Sequence, residues 1–570
     1  MRGALAVSWS RGSDNLGQPI LQDDDVILLY CDDQLGGTPG EIHEKIFLDA
    51  ATVAQAKATS RKHYGGQDTN SHGHDMWHFP SFPLERHDAC QFHLYKMLSR
   101  NRITLLAKSN MLHIQNGNSQ PTAIHLAFTN RVDEMVVQFK TGKINGTPMI
   151  KYGTEKDALT LHANGSSSTY TAKDMCQDPA KKEEPGKFQP PGLLHVVKMT
   201  HLEPNTTYYY QVGVNHERVN VTTWSEIHSF LSPPEIRADA EPHSFLVYAD
   251  QGSPSDGWGQ GGAWIAAMAT REANLPTPIR SVHHFGDISY ARGAAHIWDE
   301  WLNMVSPFAV KVPLMVSIGN HEYDHTDGGG AGKDPSGVPT KDGYKPRWGN
   351  FGTDSGGECG VPTARHFFMP HSSGSNGVFW YSYNFANVHT IAISSEHDMS
   401  LGSKQYRWLE EDLKSVDRSL LPWIVLELHR PFYESEVDPI DSVVGMEMLH
   451  RIEHLLKTYQ VDLVLAGHLH SYERSCAGLY KGKCNVGGPT HIIVGTAGAK
   501  LMYDPKVPSI HWTKKIVRGH FGYGRVTVAN ATSMHFEFVR AGANDDPAAG
   551  TVLDDVWIVK GQGEGMVRSG

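Results

Sequence analysis

Five short stretches of this 570-residue chain each close an apolar run with side chains able to hold a metal ion. They are Asp250-Gln251-Gly252, Asp287-Ile288-Ser289-Tyr290, Gly319-Asn320-His321-Glu322, His429, and Gly467-His468-Leu469-His470. An aspartate at the end of a buried strand can offer one carboxylate oxygen to each of two cations, holding them roughly 3.5–4 Å apart as two-metal hydrolases require. Asp287, which follows the apolar run Val282 to Phe285, has that placement. Tyr290 lies three residues further on and could turn back as a phenolate. Such a ligand favours a hard trivalent ion such as ferric iron, because a highly charged cation stabilises the deprotonated form of its ligands. Alone, Asp-x-x-Tyr is an ordinary strand end followed by a turn; the other four stretches give it weight. His468 and His470, two apart, point to the same side of an extended segment, and the adjoining glycines permit sharp turns and close backbone approach.

The elements that must position these side chains can be read from hydrophobic period. Strands are predicted at 244–249, 281–286, 314–318, 389–394, 423–428 and 461–466, with helices at about 263–272, 294–305, 403–416 and 445–459. In the second helix Ile297, Trp298, Trp301 and Val305 recur at helical spacing, as core residues do. Near-continuous apolar strands interleaved with helices predict a sheet covered on both faces. The metal-competent residues then fall at the C-terminal strand ends, where open α/β sheets bind ligands. Upstream, from Thr122, short alternating runs separated by turns predict a β-sandwich. It is interrupted by a Lys-, Glu- and Pro-rich insert at 174–191, read as an exposed loop. It closes at the stiff linker Ser232-Pro233-Pro234-Glu235. Residues 1–116 read as a β-rich accessory domain. His72, His74, Asp75 and His78 are metal-competent there, but their spacing matches no specific site and a solvent-facing loop is the expectation.

Composition sets the class. Hydrophobic residues make up 39% and charged residues 20%, as in globular proteins, and no apolar run approaches the roughly 18 residues of a membrane span. A net charge of -11 argues against a nucleic-acid polymer as partner. No signal peptide is evident in Met1 to Ser10. Five Asn-x-Ser/Thr sequons, starting at Asn145, Asn164, Asn205, Asn220 and Asn530, nevertheless favour a secreted or vacuolar glycoprotein with an incomplete N-terminus. Of the six cysteines, Cys476 and Cys484 bracket a Gly-containing turn and form the one suggestive pair.

Taken in order, the five blocks resemble the metallophosphoesterase signature and, with Tyr290, the purple acid phosphatases. Gly356-Gly357-Glu358-Cys359-Gly360-Val361-Pro362, Ser395-Glu396-His397-Asp398, Val416-Asp417-Arg418, Tyr472-Glu473-Arg474 and Gly522-Tyr523-Gly524 resemble the large plant-type branch, which carries an extra N-terminal domain. The resemblance implies an α/β metallophosphoesterase sandwich of mixed β-sheets flanked by helices at 240–560, including a C-terminal extension. An all-β fibronectin type III-like sandwich at 117–236 and a β-rich domain at 1–116 would precede it. It also implies an acid phosphatase acting on phosphate monoesters through a dinuclear metal centre, with metal-bound hydroxide as nucleophile. Carried over by position, Asp250, Asp287, Tyr290 and His470 would hold Fe(3+). Asp287, Asn320, His429 and His468 would hold a divalent ion (Zn, Mn or Fe). His321 would contact phosphate or protonate the leaving oxygen. One departure stands out: where many relatives carry a second histidine after the fourth block, this chain has Arg430. Its fork of donors could pair with phosphate or close a structural ion pair. A nucleotide pyrophosphatase or phosphodiesterase on the same metals is the near alternative, with the difference expected in loops such as 324–352. A secreted binding protein with an inert phosphatase domain is the alternative of another class. A small phosphorylated substrate and a homodimer are the expected partners.

Overall fold

The computed structural model describes residues 6–10, 25–31, 74–78, 89–99, 102–108 and 110–113. It then describes 116–560, apart from 143–145, 184–186, 217–220, 256–260, 324–352, 437–441, 503–509 and 544. In the first stretch β1 (Ala6–Ser10) pairs with β3 (His74–His78), while β2 (Asp25–Cys31), β4 (Ala89–Ser99), β5 (Arg102–Lys108) and β6 (Leu112–His113) form a second antiparallel sheet. His74, Asp75 and His78 thus lie on a paired strand and not in a loop. His72 and the loop 324–352 lie outside the described residues.

The sandwich follows. β7 (Thr122–Ala127), β8 (Met135–Thr141), β11 (Ser166–Ser168) and β12 (Leu193–Met199) make one sheet. β9 (Gly146–Gly153), β10 (Leu161–Asn164), β13 (Thr207–His216), β14 (Val221–Trp224) and β15 (His228–Leu231) make the other. The insert departs from its expected exposure. Met175, Ala180 and Phe188 are buried, and Cys176 is disulfide-bonded to Cys359. Charged and proline residues dominate the composition of this stretch, but its few apolar side chains decide where it sits.

The remaining strands form two mixed sheets. The first has the order β18 (Leu314–Ser317), β17 (Val282–Phe285), β16 (His243–Tyr248), β26 (Gly522–Val528), β27 (Ser533–Arg540) and β28 (Val552–Val559). β16, β17 and β18 are parallel, whereas β26 and the strands beyond it are antiparallel. The second sheet runs β19 (Tyr381–Phe385), β20 (Val388–Ala392), β21 (Trp423–Glu427), β22 (Leu463–Ala466), β24 (Thr490–Val494), β23 (Tyr472–Ser475) and β25 (Thr513–Val517). The apolar strands read from sequence are therefore split between two sheets that cover one another. Helices pack on part of the second face of each, against β17 in the first and β19 in the second, whereas on β27 and β28 that face is half-buried.

β17 shows how one strand serves both faces, because successive side chains point to opposite sides. His283 reaches across to the second sheet, with Nδ1 2.5 Å from Glu427 Oε1 and Nε2 2.9 Å from Tyr383 Oη. His284 faces the other way, with its ring 5.8 Å from that of Trp301 on the helix Ala295–Ala309. On the second sheet the helix Lys404–Ser415 is started by Ser403, whose Oγ accepts from Tyr406 N, and its Asp412 meets Ser382 and His389. Buried apolar side chains of the sandwich and of both mixed sheets form one continuous cluster.

Candidate metal centre

All seven residues expected as ligands come together at the C-terminal ends of parallel strands, and both sheets contribute. β16, β17 and β18 lead into Asp250, Asp287 with Tyr290, and Asn320; β21 and β22 lead into His429 and His468 with His470. Local backbone makes the convergence possible. Gly286 adopts φ 100°, and a Cβ there would lie 2.6 Å from both Gly319 N and His429 Nδ1, so no larger residue fits. Asp250, Asp287, Tyr290 and His468 themselves take left-handed backbone, with φ 63°, 53°, 55° and 68°. Such conformations persist only where surrounding structure over-determines them, and they cluster at functional sites.

Two sets of donors lie side by side. In one, Tyr290 Oη is 3.2 Å from Asp250 Oδ1 and 3.0 Å from His470 Nε2, and His470 Nε2 is 3.5 Å from Asp250 Oδ1. In the other, Asn320 Oδ1 is 3.0 Å from His429 Nε2 and 3.1 Å from His468 Nδ1. Asp287 faces both sets, with Oδ1 3.2 Å from His429 Nε2 on one side and the Tyr290 phenol on the other. Ligand atoms of Asp287, His429 and His468 all lie within 4.8 Å of one another.

The donor chemistry fits cations. Backbone carbonyls stand behind two of the imidazoles, Phe285 O at 3.1 Å from His429 Nδ1 and Lys500 O at 2.7 Å from His470 Nδ1. Such a carbonyl accepts a hydrogen bond from Nδ1–H, which keeps the proton there and turns the Nε2 electron pair inward. Here the pair meets a carboxylate oxygen, an arrangement that requires a proton or a metal ion between them. Burial alone would lower the His429 imidazole, but the Asp287 and Asp250 carboxylates reverse this and lift it to about 9. Burial, reinforced by the same two carboxylates, holds the Tyr290 phenol well above its ordinary value. A phenolate at Tyr290 thus needs a strongly charged partner.

The two residues expected to act on substrate are placed differently. His321 sits at the rim of the donor set. Its backbone N donates to Asp287 Oδ1 at 2.9 Å, Nε2 lies 3.9 Å from Asp287 Oδ2, and its ring is 4.5 Å from that of Tyr290. Arg430 is buried, and an ion pair engages it: Nε donates to Glu396 Oε1 at 2.8 Å and Nη2 to Oε2 at 3.4 Å. Nη1 lies 3.4 Å from His468 Nε2.

Sequence reasoning overlooked three acidic residues. Glu322 accepts the backbone N–H groups of Asp287, Ile288 and Gly319 at 2.8, 2.7 and 2.9 Å, tying the second strand end to the third. Its place in the Gly-Asn-His-Glu block was the available signal. Glu396 was quoted in a motif without a role. Asp354, which contacts both Asn320 and His321, had no signal.

Comparison with known proteins agrees with this architecture. Residues 121–232 match the purple acid phosphatase N-terminal domain, 267–472 the calcineurin-like phosphoesterases, and 488–555 the iron/zinc purple acid phosphatase-like protein C family. A protein of Arabidopsis thaliana named probable inactive purple acid phosphatase 9 is 35% identical over 467 residues, 76% of this chain and 67% of that one. The chain belongs to the purple acid phosphatase family. Purple acid phosphatase 22 of the same plant is 28% identical over 457 residues, 78% of this chain and 87% of that one. The purple acid phosphatase isolated from yellow lupin (Lupinus luteus) seeds has a similar structure, with a TM-score of 0.73 and 25% identity over 94% of this chain and 91% of that one. Family membership carries the metallophosphoesterase fold; the word "inactive" in the first relative's name is said of that protein.

Proposed function

We propose that this purple acid phosphatase is an active hydrolase of phosphate monoesters that works with two metal ions at acidic to neutral pH. The observation supporting it is the complete donor set, with the Nε2 atoms of His429 and His470 turned by backbone carbonyls toward carboxylate oxygens. Asp250, Asp287, Tyr290 and His470 would hold Fe(3+), while Asp287, Asn320, His429 and His468 would hold a divalent ion. Bound there, the two ions would offset the charge that builds on phosphate during in-line displacement and make a water acidic enough to attack it.

The chain's own side chains divide the remaining work. His321 Nδ1 donates to Asp354 O at 3.0 Å, so Nε2 is the nitrogen that faces the centre. From there it binds a phosphate oxygen or passes a proton to the leaving group. Arg430 is held by Glu396 with Nη1 3.4 Å from His468 Nε2, which favours a role in bracing that histidine over direct pairing with phosphate. Two disulfides and the sequons support a secreted or vacuolar site of action.

The test is metal analysis joined to a visible spectrum and to assays on p-nitrophenyl phosphate, its bis ester and ATP. Two bound metals, a tyrosinate-to-iron charge-transfer band and preference for the monoester are expected. Protein that takes up no metal and hydrolyses nothing would overturn the proposal. Preference for ATP or the bis ester would leave the hydrolase but move its substrate class.

A further inference from the structure

We infer that the sandwich insert around Cys176 is a positioning element of the metal centre, acting through Asp354. The inference rests on the two-metal reading above.

The loop 353–360 joins three parts of the molecule. On the sandwich side Cys359 is disulfide-bonded to Cys176, Gly357 O accepts from Cys176 N at 2.9 Å, and Gly356 O accepts from Ala180 N at 3.0 Å. The fit leaves no room: a Cβ on Gly357 would lie 2.3 Å from Gln177 O, and one on Gly356 would lie 2.3 Å from Arg292 O. Toward the Tyr290 turn, Glu358 Oε1 accepts from Gly293 N at 3.0 Å and Oε2 from Trp298 Nε1 at 3.1 Å. Toward the third strand end, Gly360 N donates to Glu322 O at 2.8 Å.

Asp354 stands where this fastened loop meets the site. Its Oδ2 accepts from Asn320 Nδ2 at 3.0 Å, and its backbone O accepts from His321 Nδ1 at 3.0 Å. A carboxylate can only accept, so Asp354 selects one of the two flip states of the Asn320 amide. The amide N–H faces Asp354, and Oδ1 faces His429 and His468, the side on which a metal would be held. The carbonyl does the same for His321, fixing the proton on Nδ1. Asp354 is thus a positioning residue for a ligand and for the proposed acid, and the insert holds it in place.

The experiment uses the full chain, stripped with chelator, titrated with Zn2+ or Mn2+ by calorimetry and then assayed. Asp354→Ala is expected to weaken divalent-ion affinity about 10–100-fold, as removal of the partner that orients a metal ligand typically does. It should lower kcat more than KM. Asp354→Asn keeps an acceptor and is expected to stay within about threefold of the unsubstituted protein. The melting temperatures of the two metal-free variants should agree, which separates orientation from general loosening. The double variant Cys176→Ser/Cys359→Ser should lose part of the same affinity, and its effect should be less than additive with Asp354→Ala, since both act through one contact. Unsubstituted protein that binds no divalent ion would overturn the two-metal reading and this inference with it. If the unsubstituted protein binds and Asp354→Ala binds as tightly, the inference alone falls. Equal losses in Asp354→Ala and Asp354→Asn would overturn the amide-orienting role, and full additivity with the cysteine variant would overturn the role of the insert.

Discussion

Asp287 and Tyr290 sit three residues apart and carry separable consequences. Asp287 faces both donor sets, so Asp287→Asn is expected to abolish uptake of both metals together with activity, read by metal analysis of the purified variant. Tyr290→Phe removes only the phenol; loss of the visible band with a divalent ion still bound is the expected outcome. His321→Ala should leave metal content unchanged and lower kcat on monoesters by about 10²–10⁴-fold, the usual contribution of a positioned acid. An unchanged rate would remove His321 from the chemistry. At this scale the sequence was informative because metal-competent side chains at strand ends must be particular residue types: the seven expected ligands could be picked out, and the structure brings those residues together. Glu322 and Asp354 were not assigned. A side chain that hydrogen-bonds backbone or another ligand can be drawn from many positions, so its type and spacing carry little signal.

Among elements, the parallel strands and their helices were legible because a buried strand needs continuous apolar residues. Their division between two sheets was not legible in hydrophobic period, and only the family resemblance implied it. It depends on which faces meet, and β17 shows both outcomes in adjacent residues, His283 turning to the second sheet and His284 to a helix. The insert was misread because its polar composition outweighs the few apolar side chains that anchor it. The loop it fastens contains Glu358, fully buried, whose carboxyl burial pushes up to about 7 against the opposing hydrogen bonds from Trp298 and Gly293. Unfolded, this group would release its proton near its ordinary 4.5. Between these values the folded chain binds more protons than the unfolded one, so stability falls as pH rises from about 4.5 to 7 and the loss is complete above that. The shift corresponds to roughly 3 kcal/mol. Glu358→Gln removes the charge and keeps one oxygen, which at the Oε1 position lies 3.0 Å from Gly293 N and 3.3 Å from Trp298 Nε1. Its melting temperature is expected to exceed that of the unsubstituted protein at pH 7.5 and to match it at pH 4.5; equal pH profiles would exclude Glu358 as the source.

For the whole molecule, the sandwich and the two mixed sheets share one apolar core, and polar contacts cross between them. Tyr210 Oη donates to Val310 O at 2.8 Å, and His125 Nε2 lies 3.2 Å from His366 O. Lys140 of β8 forms a buried ion pair with Asp299 of the helix Ala295–Ala309, the helix whose Trp298 is bonded by Glu358. An interface built in this way should not open independently, so calorimetry of the metal-free protein is expected to give a single transition for the sandwich and the two mixed sheets together. The ion pair allows a sharper test. Lys140→Met strands a buried carboxylate and should cost about 3–5 kcal/mol, whereas Lys140→Met/Asp299→Leu, which removes both charges, should recover most of that loss. If the sandwich were a separately stable module, Lys140→Met would split the unfolding into two transitions, and activity would survive the first. A joint transition that shifts downward as one unit would tie the sandwich to the stability of the sheets that carry Asp250, Asp287 and His429.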